Sequence, residues 1–157
     1  MISVGDTVPT ANITVAGVVE QTSTTSTELF SGKKVVLFAL PGAFTPTCSK
    51  AHLPGYVTLF DSFLEKGVDM VACLSVNDAF VMQAWAKDQN AENITMIADG
   101  GAAFTKALGL EMETGDFGGV RAQRFAMIID NGVVSLLNIE PPKTFESSKA
   151  ETILEAL

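Results

Sequence analysis

One stretch of this chain gathers most of its reactive side chains. Among 157 residues there are two cysteines, Cys48 and Cys73, and one histidine, His52. Residues 39–56, ALPGAFTPTCSKAHLPGY, hold Cys48 and His52 among Pro41, Thr45, Pro46 and Pro54. A thiol is either a small core residue or a reagent. The nucleophile is the thiolate, which a helix N-terminus favours through unpaired N–H groups and the positive end of the helix dipole. If a helix begins near residues 45–48, Cys48 lies in or near its first turn. Pro41 and Pro46 would stiffen that approach and remove N–H donors that could point elsewhere. Thr45 precedes Cys48 by about one helical turn, so its hydroxyl is expected close to the sulfur. A hydroxyl both donates and accepts, and could orient a substrate bearing an O–H group.

The remaining inventory narrows the chemistry. Two cysteines make no disulfide framework. One histidine and two cysteines without C-x-x-C or H-x-x-x-H spacing make a poor metal site. The net charge is −8 and the ten Lys and Arg are scattered, which argues against nucleic acid as a partner. Hydrophobic residues reach 47%, yet no run approaches the roughly 20 apolar residues of a membrane span. The opening residues, MISVGDTVPTANITV, show no basic region leading into an apolar stretch, so a cytoplasmic setting with reduced thiols is expected. His52 follows Cys48 by four positions, the signature of a thiol hydrolase pair. No third orienting group is evident, however, and a supporting role beside the thiolate or in the helix–loop region suits His52 better.

These residues need elements to hold them. The length fits one domain, residues 1–157. Residues 35–40, VVLFAL, are a continuous apolar run ending at Pro41 and read as a buried strand. Tyr56, Val57, Leu59, Phe60, Phe63 and Leu64 recur at helical spacing, with Gly67 as the stop and Pro54 as a kink or restart. VDMVACLSV, 68–76, is a second buried strand, followed by a helix with Asn77 or Asp78 as N-cap. ITMIAD is a third strand, and GAAFTKALGL a helix closed by Gly109. RFAMIIDNGVVSLLNIE is a hairpin around Asp130-Asn131-Gly132. SSKAETILEAL is a last helix capped by Ser147 or Ser148. QTSTTSTELF reads as a loop, as does EMETGDFGGV, 111–120. The order predicts an α/β chain with a mixed central sheet, helices on both faces, and a C-terminal hairpin plus helix, like a thioredoxin-type fold. Sites in such sheets form beyond the carboxyl ends of strands, which is where PGAFTPTC falls.

Pro41, Thr45 and Cys48 form PxxxTxxC, and PGAFTPTCSKAHLPGY resembles the active-site segment of peroxiredoxins, most closely the type II (peroxiredoxin-5) subfamily. VACLSVNDAFVMQAW, IADGGAAFTKALGL and QRFAMIIDNGVV match the same subfamily in order. The resemblance implies a thioredoxin-like fold and reduction of hydroperoxides, with no metal or organic cofactor. It implies that Cys48 is the peroxidatic cysteine, that Thr45 hydrogen-bonds thiolate and peroxide, and that Pro41 shields the sulfur from water. It makes Arg124 the fixed charge on the thiolate, a role a guanidinium suits because it stays protonated. Arg121 is the weaker candidate and reads as a solvated charge.

Regeneration departs from part of the family pattern. The tail EPPKTFESSKAETILEAL has no cysteine, and Cys73 lies mid-strand in VACLSV. A one-cysteine cycle is therefore expected, with glutathione, glutaredoxin or thioredoxin reaching a partly exposed Cys48 sulfenic acid. The alternatives are a resolving role for Cys73 with thioredoxin as reductant, and a redox-sensing or binding module without turnover. The resemblance also implies a homodimer through loops around the active site. Phe44 and Phe117 are the candidate contacts, Phe117 lying either there or at the pocket mouth.

Overall fold

The computed structural model describes residues 1–157. A seven-stranded mixed sheet runs through the molecule in the order β2 (Gln21–Thr25), β1 (Asn12–Ala16), β5 (Thr95–Ala98), β4 (Met70–Ser75), β3 (Lys34–Ala39), β8 (Phe125–Asp130) and β9 (Val133–Ile139). Its centre is the parallel set β3, β4 and β5. On one side β8 and β9 add as an antiparallel hairpin. Asn131 (φ 47°) and Gly132 (φ 82°) both take the left-handed conformation that a two-residue hairpin turn requires.

The apolar strands show no alternation because both faces of the sheet are covered. Val36 and Phe38 of β3 enter one core, and Val35, Leu37 and Ala39 enter the other. The first core is closed by α2 (Leu53–Thr58), α3 (Phe60–Glu65), α4 (Ala79–Asp88) and α6 (Ala150–Glu155), through Tyr56, Phe63, Trp85 and Ile153. The second is closed by α1 (Ser26–Phe30) and α5 (Ala103–Leu108), through Phe30, Phe104 and Leu108. Cys48 and Cys73 both belong to the first core.

Several elements differ from the expectation. QTSTTSTELF is not a loop: β2 (Gln21–Thr25) pairs with β1 (Asn12–Ala16), and α1 follows, capped by the Thr25 hydroxyl. EMETGDFGGV holds β6 (Glu111–Glu113), a short 3-10 turn, and the start of β7 (Val120–Ala122), its antiparallel partner. The helical stretch from residue 46 to 65 passes from a π turn into α2 at Leu53, so Pro54 stands where the helix restarts, as expected, and the stretch is interrupted again at Leu59. Asp78, not Asn77, caps α4, accepting from Val81 N at 2.9 Å. Neither Ser147 nor Ser148 caps α6; Lys149 stands at that position, and the Ser148 side chain turns to Glu140.

Candidate active site

The carboxyl end of β3 and the amino end of β8 meet because the two strands are antiparallel, with Ala39 opposite Phe125. Past Ala39 the chain turns through Pro41 and enters helix at Pro46. Just before Phe125 stands Arg124. The register thus sets the helix start and the guanidinium against each other at one end of the sheet.

Cys48 lies in the first helical turn, as its spacing predicts. That turn continues as a π turn, Cys48–His52, in which Leu53 N donates to Cys48 O. Arg124 Nη2 donates to Cys48 Sγ at 3.2 Å, and Nη1 donates to His52 Nδ1 at 2.7 Å. The other ring nitrogen, Nε2–H, donates to the Ser148 carbonyl at 3.2 Å. Both imidazole nitrogens are therefore occupied, and neither faces the sulfur. The hydrolase-like Cys–His pair is absent; His52 instead holds the arginine. Burial, reinforced by the Arg124 charge, lowers the His52 pKa to about 3, so the ring is neutral.

Thr45 makes no hydrogen bond to the sulfur. Its hydroxyl donates to Gly42 O at 2.7 Å, which leaves oxygen lone pairs free to accept. Pro41, half-buried, joins Thr47, Met112, Arg124, Lys143 and Phe145 around an open cleft of about 440 Å³. A second cleft, between the β1–β2 turn and α4, is mostly apolar and holds neither cysteine nor histidine. Cys48 is only 1% exposed, which corrects the expectation of a partly exposed thiol. Its neighbour Ser49 accepts the indole N–H of Trp85 at 3.0 Å. Cys73 is wholly buried opposite Phe38, and burial, then the proximity of Cys48, pushes its thiol pKa well up.

Arg121 is not a solvated charge. It is half-buried, donating from Nε to Gly118 O at 3.1 Å and from Nη1 to Val76 O at 2.9 Å. A Cβ on Gly42 would sit 3.5 Å from Nη1, so this arginine ties together three loops rather than facing the thiol. Two of those loops carry an exposed phenylalanine, Phe44 (54%) and Phe117 (69%), while Phe80 (75%) is exposed on α4, at the second cleft. Phe117 does not line the cleft.

The Redoxin family pattern matches residues 3–154. The chain is 45% identical over 159 residues to Peroxiredoxin-2D of Arabidopsis thaliana, an alignment spanning 99% of this chain and 98% of that protein. This chain belongs to the peroxiredoxins. Peroxiredoxins are thiol peroxidases, and the type II subfamily resemblance stands. Among solved structures, this peroxiredoxin is similar to the reduced Prx3 of Vibrio vulnificus in complex with H2O2, at 62% identity and a TM-score of 0.97 over 99% of both chains. It is also similar to peroxiredoxin 5 of Alvinella pompejana, at 35% identity and a TM-score of 0.87 over 99% of this chain and 97% of that one. The thioredoxin-like fold with its mixed sheet is the fold of those structures. No helix in the molecule is long and apolar enough to cross a membrane.

Proposed function

We infer that the chain, acting as one domain over residues 1–157, reduces hydrogen peroxide and alkyl hydroperoxides at Cys48. The observation that carries this is the 3.2 Å contact between Arg124 Nη2 and Cys48 Sγ, at a helix start beyond the carboxyl end of β3. The Vibrio vulnificus relative, crystallised with H2O2, supports the substrate class. The Cys48 thiolate attacks the nearer peroxide oxygen. The S–O bond forms as the O–O bond breaks, leaving a sulfenic acid and a hydroxide or alkoxide that takes a proton from solvent. Arg124 stabilises the charge that moves from sulfur to the leaving oxygen, as an oxyanion hole does. The Thr45 oxygen, its own proton engaged by Gly42, is free to accept from the peroxide O–H. Pro41 keeps water from the sulfur on the cleft side.

The sulfenic acid is then reduced by an external thiol in a cytoplasmic, reducing setting. Glutathione or glutaredoxin is the favoured reductant and thioredoxin the alternative. Cys73 lies mid-strand and fully buried, a poor position from which to resolve Cys48. Since Cys48 is itself covered, the reductant needs the π turn to yield. That burial also favours a second reading, a sensor that oxidises but does not turn over. Steady-state peroxide consumption with each reductant decides between them. Cys48→Ser is expected to fold and to lose all turnover; substantial turnover in that variant would refute the assignment.

The homodimer belongs to the same proposal. Phe44 and Phe117 stand exposed on two of the loops that meet at Arg121, beside the site, and exposed aromatic rings on adjoining loops suit an interface core.

A further inference from the structure

We propose that Glu140 is the positioning residue that keeps Arg124 on the Cys48 sulfur, working through the 140–148 loop and His52. The proposal rests on the peroxidase reading for its kinetic consequence, not for its geometry.

Glu140 stands at the end of β9, where its backbone N–H donates to Arg124 O at 2.9 Å. Its side chain folds beneath the loop that follows. Oε2 accepts from Glu146 N at 2.7 Å, Ser148 N at 2.9 Å and Ser148 Oγ at 2.7 Å. Oε1 accepts from Thr144 Oγ1 at 3.1 Å and Ser147 Oγ at 3.3 Å. The residue is 6% exposed. Burial alone would raise its carboxyl, but the donors from Ser148, Glu146 and Thr144 together outweigh it and hold the pKa at about 2, so the group is charged.

The loop delivers two groups to the site. The Ser148 carbonyl accepts from both Tyr56 Oη at 2.7 Å and His52 Nε2 at 3.2 Å. The Phe145 ring meets His52 edge-on at 5.1 Å and lies 5.8 Å from Arg124 Cζ. The Ser148 carbonyl fixes the imidazole as the Nε2–H form, so Nδ1 must accept, and the only donor it meets is Arg124 Nη1. With Nη1 so held, Nη2 faces the sulfur. Without Glu140, the buried Ser148 N–H and the part-buried Glu146 N–H lose their acceptor, and the loop has no reason to keep the Ser148 carbonyl in place. A glutamine can still offer one oxygen to the three Oε2 donors, while its amide N–H groups meet two hydroxyls that can turn to accept.

The test compares wild type, Glu140→Gln and Glu140→Leu. Thermal unfolding establishes folding, single-turnover kinetics give the rate with H2O2, and ¹⁵N–¹H spectra follow the chain's only imidazole. Wild type is expected to show a neutral ring with a slowly exchanging Nε2 proton. Folded Glu140→Leu should lose that protection and react about tenfold or more slowly. Glu140→Gln should keep both properties. A folded Glu140→Leu with the wild-type imidazole signal, or with the wild-type peroxide rate, overturns the proposal. Should Glu140→Leu not fold, Glu140→Asp carries the same test, because its carboxylate, one methylene shorter, cannot reach the Glu146 and Ser148 N–H groups that now share Oε2. A wild type inert to peroxide would sink the peroxidase reading instead, and the imidazole signal of the variants would still decide the role of Glu140.

Discussion

Lowering the pH from 7 to 5 is expected to weaken the fold by about 2 kcal/mol through His52. The folded ring has a pKa of about 3, set by burial and then by Arg124, against an ordinary value of 6.5. Between those values the unfolded chain binds a proton that the folded chain refuses, so stability falls as pH falls. The contribution is complete above about pH 6.5 and is lost progressively down to about pH 3. At pH 5 the unfolded imidazole is almost wholly protonated and the folded one almost wholly neutral. The ratio of the two binding polynomials is then roughly 30, or about 2 kcal/mol. Any folded pKa well below 5 leaves this figure nearly unchanged. The structural cause is plain: a proton on Nδ1 would meet the Arg124 N–H that now points at it. His52 is the chain's only histidine, and no other side chain has an ordinary pKa between 5 and 7. Urea unfolding under reducing conditions at pH 7 and pH 5, for wild type and His52→Gln, isolates the effect. Only the wild type should lose the extra stability. An equal loss in both proteins, or an imidazole that titrates near 6.5 in the folded chain, would refute the reasoning.

Other outcomes follow from the same geometry. Arg124→Met is expected to slow the reaction with peroxide by about a hundredfold, read by stopped-flow rates; an unchanged rate would mean that Arg124 is misassigned. The same variant strips His52 Nδ1 of its donor, so its unfolding free energy should fall by about 1–3 kcal/mol. Cys73→Ser is expected to keep most turnover with an external thiol, with one equivalent of peroxide leaving a trappable sulfenic acid on Cys48. A dominant Cys48–Cys73 disulfide by mass spectrometry, with turnover lost in Cys73→Ser, would overturn the one-cysteine cycle. Replacing Phe44 and Phe117 together by Ser should shift the mass measured by light scattering from two chains to one; a wild type already monomeric would remove the interface.

The parts of the site that were legible in the sequence are those whose chemistry depends on local spacing. Cys48 in a first turn follows from PxxxTxxC and an apolar strand ending at Pro41. Arg124 was legible only through the family resemblance, since a strand-edge arginine has no local signal of its own. The β1–β2 hairpin was missed because Gln21–Thr25 is a polar outer strand with no apolar alternation, although its threonines favour extended backbone. Glu140 was invisible for a different reason. Its partners lie between four and eight residues further on, in a loop without regular structure, and only the folded loop brings their donors to one carboxylate. The same loop explains the mistaken helix cap: Ser148 has the right residue type for capping α6, but Glu140 and His52 claim its hydroxyl, N–H and carbonyl. The π turn left no trace in the residue pattern, and the four-residue spacing of Cys48 and His52 could not show that His52 serves Arg124 rather than Cys48.

The hydrogen bond from Trp85 to Ser49 equips the molecule with its own optical signal. Trp85 is the chain's single tryptophan, fully buried, with its indole N–H on the side chain next to Cys48 and the Phe44 ring 6.5 Å away. Excited at the red edge, where the single tyrosine, Tyr56, does not absorb, intrinsic emission therefore comes from one fluorophore anchored to the turn that carries Cys48. A change in that turn alters the polarity and hydrogen bonding of the indole directly. Oxidation and re-reduction of Cys48 should each appear as a separate phase of emission in an unlabelled protein, timing the opening of the buried sulfur apart from the bond-making step.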